Sequence, residues 1–216
     1  MKILNLYAGI GGNRKLWGDE HDITAVENNE QIAEIYKEFF PKDNVIQDDA
    51  HSFLEKYYDQ YDFIWSSPPC PSHSHIRKEL AVEARKQNKA IFPDMKLYEE
   101  ILFLQGYFKG KYVVENVVSW YDPLIQPQII NKHYFWANFP IRTIEKQSRE
   151  HHATIAKLEE RKGFDLSKYH NIDKRAILRN CVEPETGLHI LQEAMGVSSN
   201  QQGKAQPLQL ELENNL

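Results

Sequence analysis

The sequence predicts an α/β fold, a mostly parallel sheet with helices on both faces, from three observations. Short apolar runs recur at residues 2–7, 22–26, 44–46, 61–65, 111–114 and 133–136, each about the length of a buried strand. Stretches with helical spacing fall between most of them, and such alternation belongs to parallel strands joined by crossover helices. The chain has 216 residues, enough for one sizeable domain and short for two.

The first run empties into Tyr7-Ala8-Gly9-Ile10-Gly11-Gly12, where glycines let a ligand approach the backbone closely. The position that would complete a dinucleotide fingerprint is Arg14, which argues against a pyrophosphate site. Glu27 closes the second run, eighteen residues beyond Gly9, where a carboxylate can accept from both hydroxyls of a ribose; this suits an adenosyl group. Ile32, Ile35, Tyr36 and Phe39 share one face of a helix predicted over residues 31–40, which stops at Pro41. The third run ends in Asp48-Asp49-Ala50, and either aspartate could accept from an adenine amino group or cap the following helix.

The fourth run, residues 61–65, leads to Ser67-Pro68-Pro69-Cys70 and presents a lone cysteine where a buried strand would open into a loop. The two prolines stiffen the backbone around it, as a nucleophile requires. Asp94 is placed to cap a helix bearing Leu97, Ile101 and Leu104. The fifth run, Tyr112-Val113-Val114, empties into Glu115-Asn116-Val117, so that a thiol and a carboxyl group share one sheet edge. Beyond the sixth run, residues 141–174 are polar, histidine-bearing and weakly periodic, which reads as an insertion rather than core. Apolar periodicity returns over 176–195, where Cys181 lies among Ile177, Leu178 and Val182 as a packed, inert thiol. Residues 198–216 carry seven Asn or Gln and read as a flexible tail, leaving 1–197 as a single catalytic domain.

Two cysteines make no disulfide framework, no basic-then-apolar leader opens the chain, and no apolar stretch approaches membrane-spanning length. A soluble protein of the cytoplasm of a bacterial or phage-infected cell is expected, with no membrane partner and no metal. Net charge is −5, mildly unfavourable to nucleic acid. The distribution argues the other way. Arg77, Lys78, Arg85 and Lys86 cluster after the Cys70 loop, and Arg149, Arg161 and Lys162 lie in a second basic segment after the last run. With Ser74, these are the candidate phosphate contacts of a basic groove, weighed against a pair of solvated helical faces.

Tyr7-Ala8-Gly9-Ile10-Gly11-Gly12, Pro68-Pro69-Cys70 and Glu115-Asn116-Val117, in this order and each after a predicted strand, resemble the cofactor loop, Pro-Pro-Cys loop and Glu-Asn-Val motif of the cytosine-C5 methyltransferase family. Arg179-Asn180-Cys181-Val182-Glu183-Pro184 is similar to its closing Asn-x-Val-x-Pro element. The resemblance implies a Rossmann-like fold and S-adenosylmethionine as cofactor, with S-adenosylhomocysteine as product. The implied cofactor contacts are Tyr7, Ala8, Gly9, Ile10, Gly11, Gly12, Glu27, Asn28, Asp49 in preference to Asp48, Ala50, Pro68, Asn180 and Val182. It further implies DNA as the partner, its target cytosine flipped from the stack.

Cytosine C5 is a poor nucleophile until a thiolate adds at C6, which assigns Cys70 the attack and Glu115 the acid at N3. The segment Asn131-Lys132-His133 resembles the family's Arg-x-Arg strand with Asn131 and His133 at the arginine positions, where they would steady the base and the acid. Asn5, Pro71 and His73 also depart from the family pattern. About forty residues separate Trp136 from the closing helix, too few for a separate target-recognition domain, which predicts a short or degenerate target. The rival readings are a tRNA cytosine-5 methyltransferase of the same family and a catalytically silent relative that binds DNA or a partner methyltransferase. Gln209-Leu210-Glu211-Leu212 is also similar to the core of sliding-clamp peptides.

Overall fold

A computed structural model describes residues 1–75, 86, 92–144 and 153–197. Seven strands form one sheet: β1 (Lys2–Leu6), β2 (Asp22–Val26), β3 (Asn44–Ile46), β4 (Phe63–Ser66), β5 (Lys111–Val117), β6 (Gln128–Ile130) and β7 (His133–Ala137). Their order is β3-β2-β1-β4-β5-β7-β6. The first five are mutually parallel, whereas β7 runs antiparallel to both β5 and β6. The helices are α1 (Glu30–Phe39), α2 (Ala50–Tyr57), α3 (Lys96–Tyr107), α4 (Ile155–Lys162), α5 (Lys174–Asn180) and α6 (Pro184–Met195). Short 3-10 turns add Asn13–Leu16 and Tyr58–Gln60. Strand order and helices on both faces make this the Rossmann-like α/β architecture that the alternating pattern predicts.

Local chemistry explains the boundaries. Asn29 caps α1 by accepting from the Ile32 N–H at 3.1 Å, and the helix ends before Pro41, whose ring forbids another turn. Thr154 and Asp173 cap α4 and α5 in the same way, and Gly163 and Gly196 close α4 and α6 in the left-handed conformation. Asp94 stands one residue before the cap position of α3, which is Met95, yet its carboxylate accepts from the Lys96 N–H at 3.1 Å and still serves the first turn.

The core lies on both sides of the sheet because successive strand residues point to opposite faces. Leu4, Leu6, Ile64 and Val114 pack beneath α2 and α3 against Phe53, Leu54, Leu97, Ile101 and Leu104. Ile3, Trp65, Val113 and Phe135 face the other way, against Trp17, Ile190 and Leu191 of the first 3-10 turn and α6. Each such side chain, fully buried, contributes roughly 1.5–3 kcal/mol.

Three expectations are corrected. β5 runs through Val117, so Glu115 and Asn116 lie within a strand rather than a loop; the antiparallel partner extends it, pairing Glu115 with Phe135, Asn116 with Tyr134 and Val117 with His133. β6 has no strand signal in the sequence, being three residues held mainly by the hairpin to β7. Residues 141–174 read as a polar insertion, yet their described part from 153 on supplies buried Leu158, Phe164 and Leu166 to a third core cluster with Ala25, Ile35 and Tyr36. Their apolar residues sit at irregular spacing around the end of α4 and the following turn, which hides them from a periodicity test. The tail, including residues 209–212, lies outside the described residues.

Candidate active site

The carboxyl ends of β1 to β5 meet at one edge of the sheet. β1 delivers the glycine loop: Tyr7 takes φ 54°, the Ala8 N–H donates to Val26 O at 3.0 Å, and Gly11 N–H returns to Ala8 O at 2.9 Å. Ala8 and Ile10 are buried, so the turn is anchored from below. At Gly9, also left-handed, an added Cβ meets nothing within 4 Å, which leaves open space for a ligand against the backbone. The loop is held closely elsewhere. At Gly11 an added Cβ would lie 2.4 Å from the Phe40 ring, and at Gly12 2.6 Å from the Val182 carbonyl oxygen.

The Glu27 carboxylate stands over this loop, accepting from the Gly9 N–H at 3.0 Å and the Asn29 N–H at 2.9 Å, with Asn28 exposed beside it. Asp49 caps α2 through the Ser52 N–H at 2.9 Å, which holds its carboxyl below the usual range, and Ala50 is buried behind it. Val182 adjoins Gly12, whereas Asn180 ends α5 on the exposed side. Arg14 turns away from the loop into a buried bidentate pair with Asp43 at 2.8 and 3.1 Å, supported by the Tyr36 hydroxyl at 2.8 Å. Asn5 forms a buried amide pair with Asn13, with the Asn13 Nδ2 donating at 2.8 Å.

β4 and β5 deliver the thiol and the carboxyl group of Cys70 and Glu115. Cys70 is half-buried, and its carbonyl accepts from His73 and Ser74 N–H at 2.9 and 3.0 Å, folding the chain back just after the thiol. Trp120 braces that turn, its backbone N–H on His73 O and its indole N–H on Ser72 O, both at 3.1 Å. Buried Pro68 lends its carbonyl to the Asn116 side chain at 2.9 Å, tying the Cys70 loop to the strand that carries Glu115. Burial first, and then the Glu115 charge, push the Cys70 thiol up.

Glu115 is 7% exposed and bonds His133 Nδ1 through one carboxylate oxygen. The two lie diagonally on one face of the β5–β7 ladder, since Glu115 faces Phe135 and Val117 faces His133. Asn131 does not share this position. It takes φ 48° in the β6–β7 turn, a left-handed conformation that asparagine tolerates.

The candidate phosphate contacts divide. Lys162 is 2% exposed and donates to Cys181 O at 2.6 Å beside Glu183 at 3.0 Å, while Arg161 pairs with the same Glu183 at 3.3 Å. The basic pair therefore anchors α4 to the start of α6, and Lys162 is corrected to a structural role. Ser74 is half-buried and Lys86 exposed; Arg77, Lys78, Arg85 and Arg149 lie outside the described residues. Cys181 packs against the α5 core, with burial pushing its thiol up to about 12.

Sequence reading missed Trp120 and above all Glu100, a fully buried carboxylate on α3. A signal for Glu100 existed: it stands on the stripe of Leu97, Ile101 and Leu104, where a charged residue is out of place unless something meets it.

Among the described residues no cluster could hold a metal ion, and no helix is long and apolar enough to cross a membrane. The model of the C-5 cytosine-specific DNA methylase family matches residues 1–117. No curated protein matches. Solved structures include a triple mutant of DNMT2 from Spodoptera frugiperda, 27% identical over 54% of this chain and 35% of that one, with a TM-score of 0.37. A conserved hypothetical protein of Streptococcus pyogenes is 14% identical over 63% of this chain and 83% of that one, TM-score 0.38. A candidate DNA modification methyltransferase encoded within an Escherichia coli prophage is 18% identical over 55% and 32%, TM-score 0.36. The chain thus spans about a third of the first and last of these proteins.

Proposed function

We propose that this chain, which belongs to the C-5 cytosine-specific DNA methylase family, transfers a methyl group from S-adenosylmethionine to C5 of cytosine in DNA through a covalent Cys70 adduct. The observation that carries the reading is the pairing of a loop thiol with a buried carboxyl group whose charge the thiol feels and which His133 holds. The open space at Gly9, beneath the Glu27 carboxylate, fits the methionine and ribose portions of the cofactor. Bound there, it supplies a methyl group activated as a sulfonium.

The rest is the work of this chain's side chains. The Cys70 thiolate adds to C6 of the ring, and the displaced electron pair reaches N3, where Glu115 supplies the proton. A nucleophilic C5 results. As C5 takes the methyl group, Glu115 regains the N3 proton; the C5 proton then passes to water, the C5–H electron pair re-forms the C5–C6 double bond, and the C6–S pair leaves with Cys70 as the thiolate. His133 keeps the Glu115 carboxyl in place, standing where the family has an arginine; it acts on the acid while leaving the base to other contacts. A duplex target must first leave its stack, at a cost of a few kcal/mol least for a mismatched or single-stranded base.

The test is a methyl-acceptor assay with labelled S-adenosylmethionine on cytosine DNA, beside trapping on 5-fluorocytosine DNA. Labelled DNA and a stalled covalent adduct are expected, because fluorine at C5 cannot leave as a proton does. Transfer to tRNA alone would overturn the choice of acceptor, and absence of any adduct would favour a silent relative that only binds.

A further inference from the structure

Glu100 gathers polar groups from the ends of β1 and β4 and from the start of α2. Its Oε1 accepts from the Tyr7 hydroxyl at 2.5 Å, its Oε2 accepts from the Ser66 hydroxyl at 2.6 Å, and His51 Nδ1 lies 3.2 Å from Oε1. Tyr7 opens the glycine loop after β1, Ser66 closes β4 four residues before Cys70, and His51 stands in the first turn of α2 just past Asp49 and Ala50. A carboxylate with 0% exposure is tolerable only when its lone pairs are met, and here they are. Tyr7 holds a left-handed backbone, which a tyrosine keeps only where its surroundings impose it. The bond from its hydroxyl to Glu100 is such a constraint.

We infer that Glu100 is a positioning residue of the cofactor site, clamping the glycine loop, the first turn of α2 and the root of the nucleophile loop in register, and that a proton on His51 tightens the clamp. The inference rests on the reading of this sheet edge as a S-adenosylmethionine site. Glu100 reaches the cofactor only through the groups it holds.

The charges around His51 set the sign. Glu99 at 3.7 Å and Glu100 face it from α3, Glu55 lies 4.0 Å away on its own helix, and Asp49 stands at that helix's cap. Lys96 of α3 opposes them, and the Tyr7 hydroxyl shares the Glu100 oxygen. The bond to Glu100 outweighs burial and lifts His51 above its ordinary range. A group raised on folding gives its full contribution below its unfolded value and loses it as pH climbs through the folded one. The stability of the clamp is therefore expected to fall with rising pH across that window, and, because the clamp shapes the site, cofactor affinity with it.

Calorimetric titration of S-adenosylmethionine into the full chain from pH 6 to 9 tests this, with thermal melting as a control. Glu100→Gln keeps the shape and removes the charge; it should weaken binding about tenfold, the order of one lost hydrogen bond to a charged group, and flatten the pH profile. His51→Gln should flatten the profile as well. In turnover, KM for the cofactor should rise by more than kcat falls, a split that general loosening of the fold does not give. Should Glu100→Gln fail to fold, Tyr7→Phe and Ser66→Ala each remove one donor and leave the carboxylate in place, and each should still raise Kd. A wild-type chain that binds beside variants of equal affinity and equal pH profile overturns this inference alone. A wild-type chain that takes no S-adenosylmethionine overturns the functional reading and this one with it.

Discussion

Replacing Glu115 by glutamine should move two properties of the site in opposite directions. The carboxylate is 7% exposed, and its charge is the second cause, after burial, that pushes the Cys70 thiol up. Glutamine keeps the volume and an oxygen for His133 while deleting the charge, so the part of the rise due to Glu115 disappears and the part due to burial stays. The thiolate should form at lower pH in the variant, though still above the ordinary cysteine range. Methyl transfer should nevertheless fall by roughly two to four orders of magnitude, since the N3 proton has no source; this is about 3–5 kcal/mol of the barrier at 1.36 kcal/mol per tenfold. The assay is alkylation by iodoacetamide as a function of pH, beside turnover on DNA. Cys181, held up to about 12, contributes little thiolate below pH 10, and a Cys181→Ser background removes it altogether. An alkylation midpoint that stays put or moves up in Glu115→Gln would refute the charge coupling, and an unchanged turnover would refute the acid.

Cys70→Ser should abolish methyl transfer and leave S-adenosylmethionine titration nearly unchanged, because the thiol serves the base and not the cofactor; activity within tenfold of wild type would reject the nucleophile. Glu27→Ala should raise the cofactor Kd by about tenfold or more, as its carboxylate also holds the Gly9 N–H, and wild-type affinity would remove Glu27 from the site. At Gly187 of α6 a Cβ would lie 2.2 Å from the backbone oxygen of Asn13, so Gly187→Ala should cost about 1–3 kcal/mol and lower Tm by roughly 2–12 °C; a melting curve that does not move would show that α6 can slide from the 3-10 turn.

What the sequence reveals of this molecule is its local chemistry. Apolar runs fix the parallel strands almost to the residue at β2, where four of five residues are buried and a buried strand must be apolar whatever its neighbours, and also at β3, a half-buried edge strand. Asp49 is legible as a helix start for a similar reason: the bond it makes spans only three residues. The thiol and the acid are legible because each lies next to such a run. What stays hidden depends on partners distant along the chain. Nothing near Glu115 shows that β7 will extend its strand, and nothing near Lys162 shows that Cys181 and Glu183 will enclose it. The arginine position taken by His133 matters only once the hairpin brings it to the acid, whereas Asn131, equally prominent in the motif, lies in the turn.

The reversed direction of β7 governs where the remaining chain can go. A parallel strand would end at the catalytic edge; β7 begins there with His133 and leaves by the opposite side, where Ala137 lies beside Val113 and Lys111 overlies the Phe139 ring. Residues 141–144 therefore depart from the far rim of the sheet, and Arg142 is already fastened to Glu193 on α6 at 2.7 Å. Any grip on a nucleic acid by the polypeptide after β7 requires a return journey around the flank of the sheet, whereas the stretch after Cys70 starts at the catalytic rim itself.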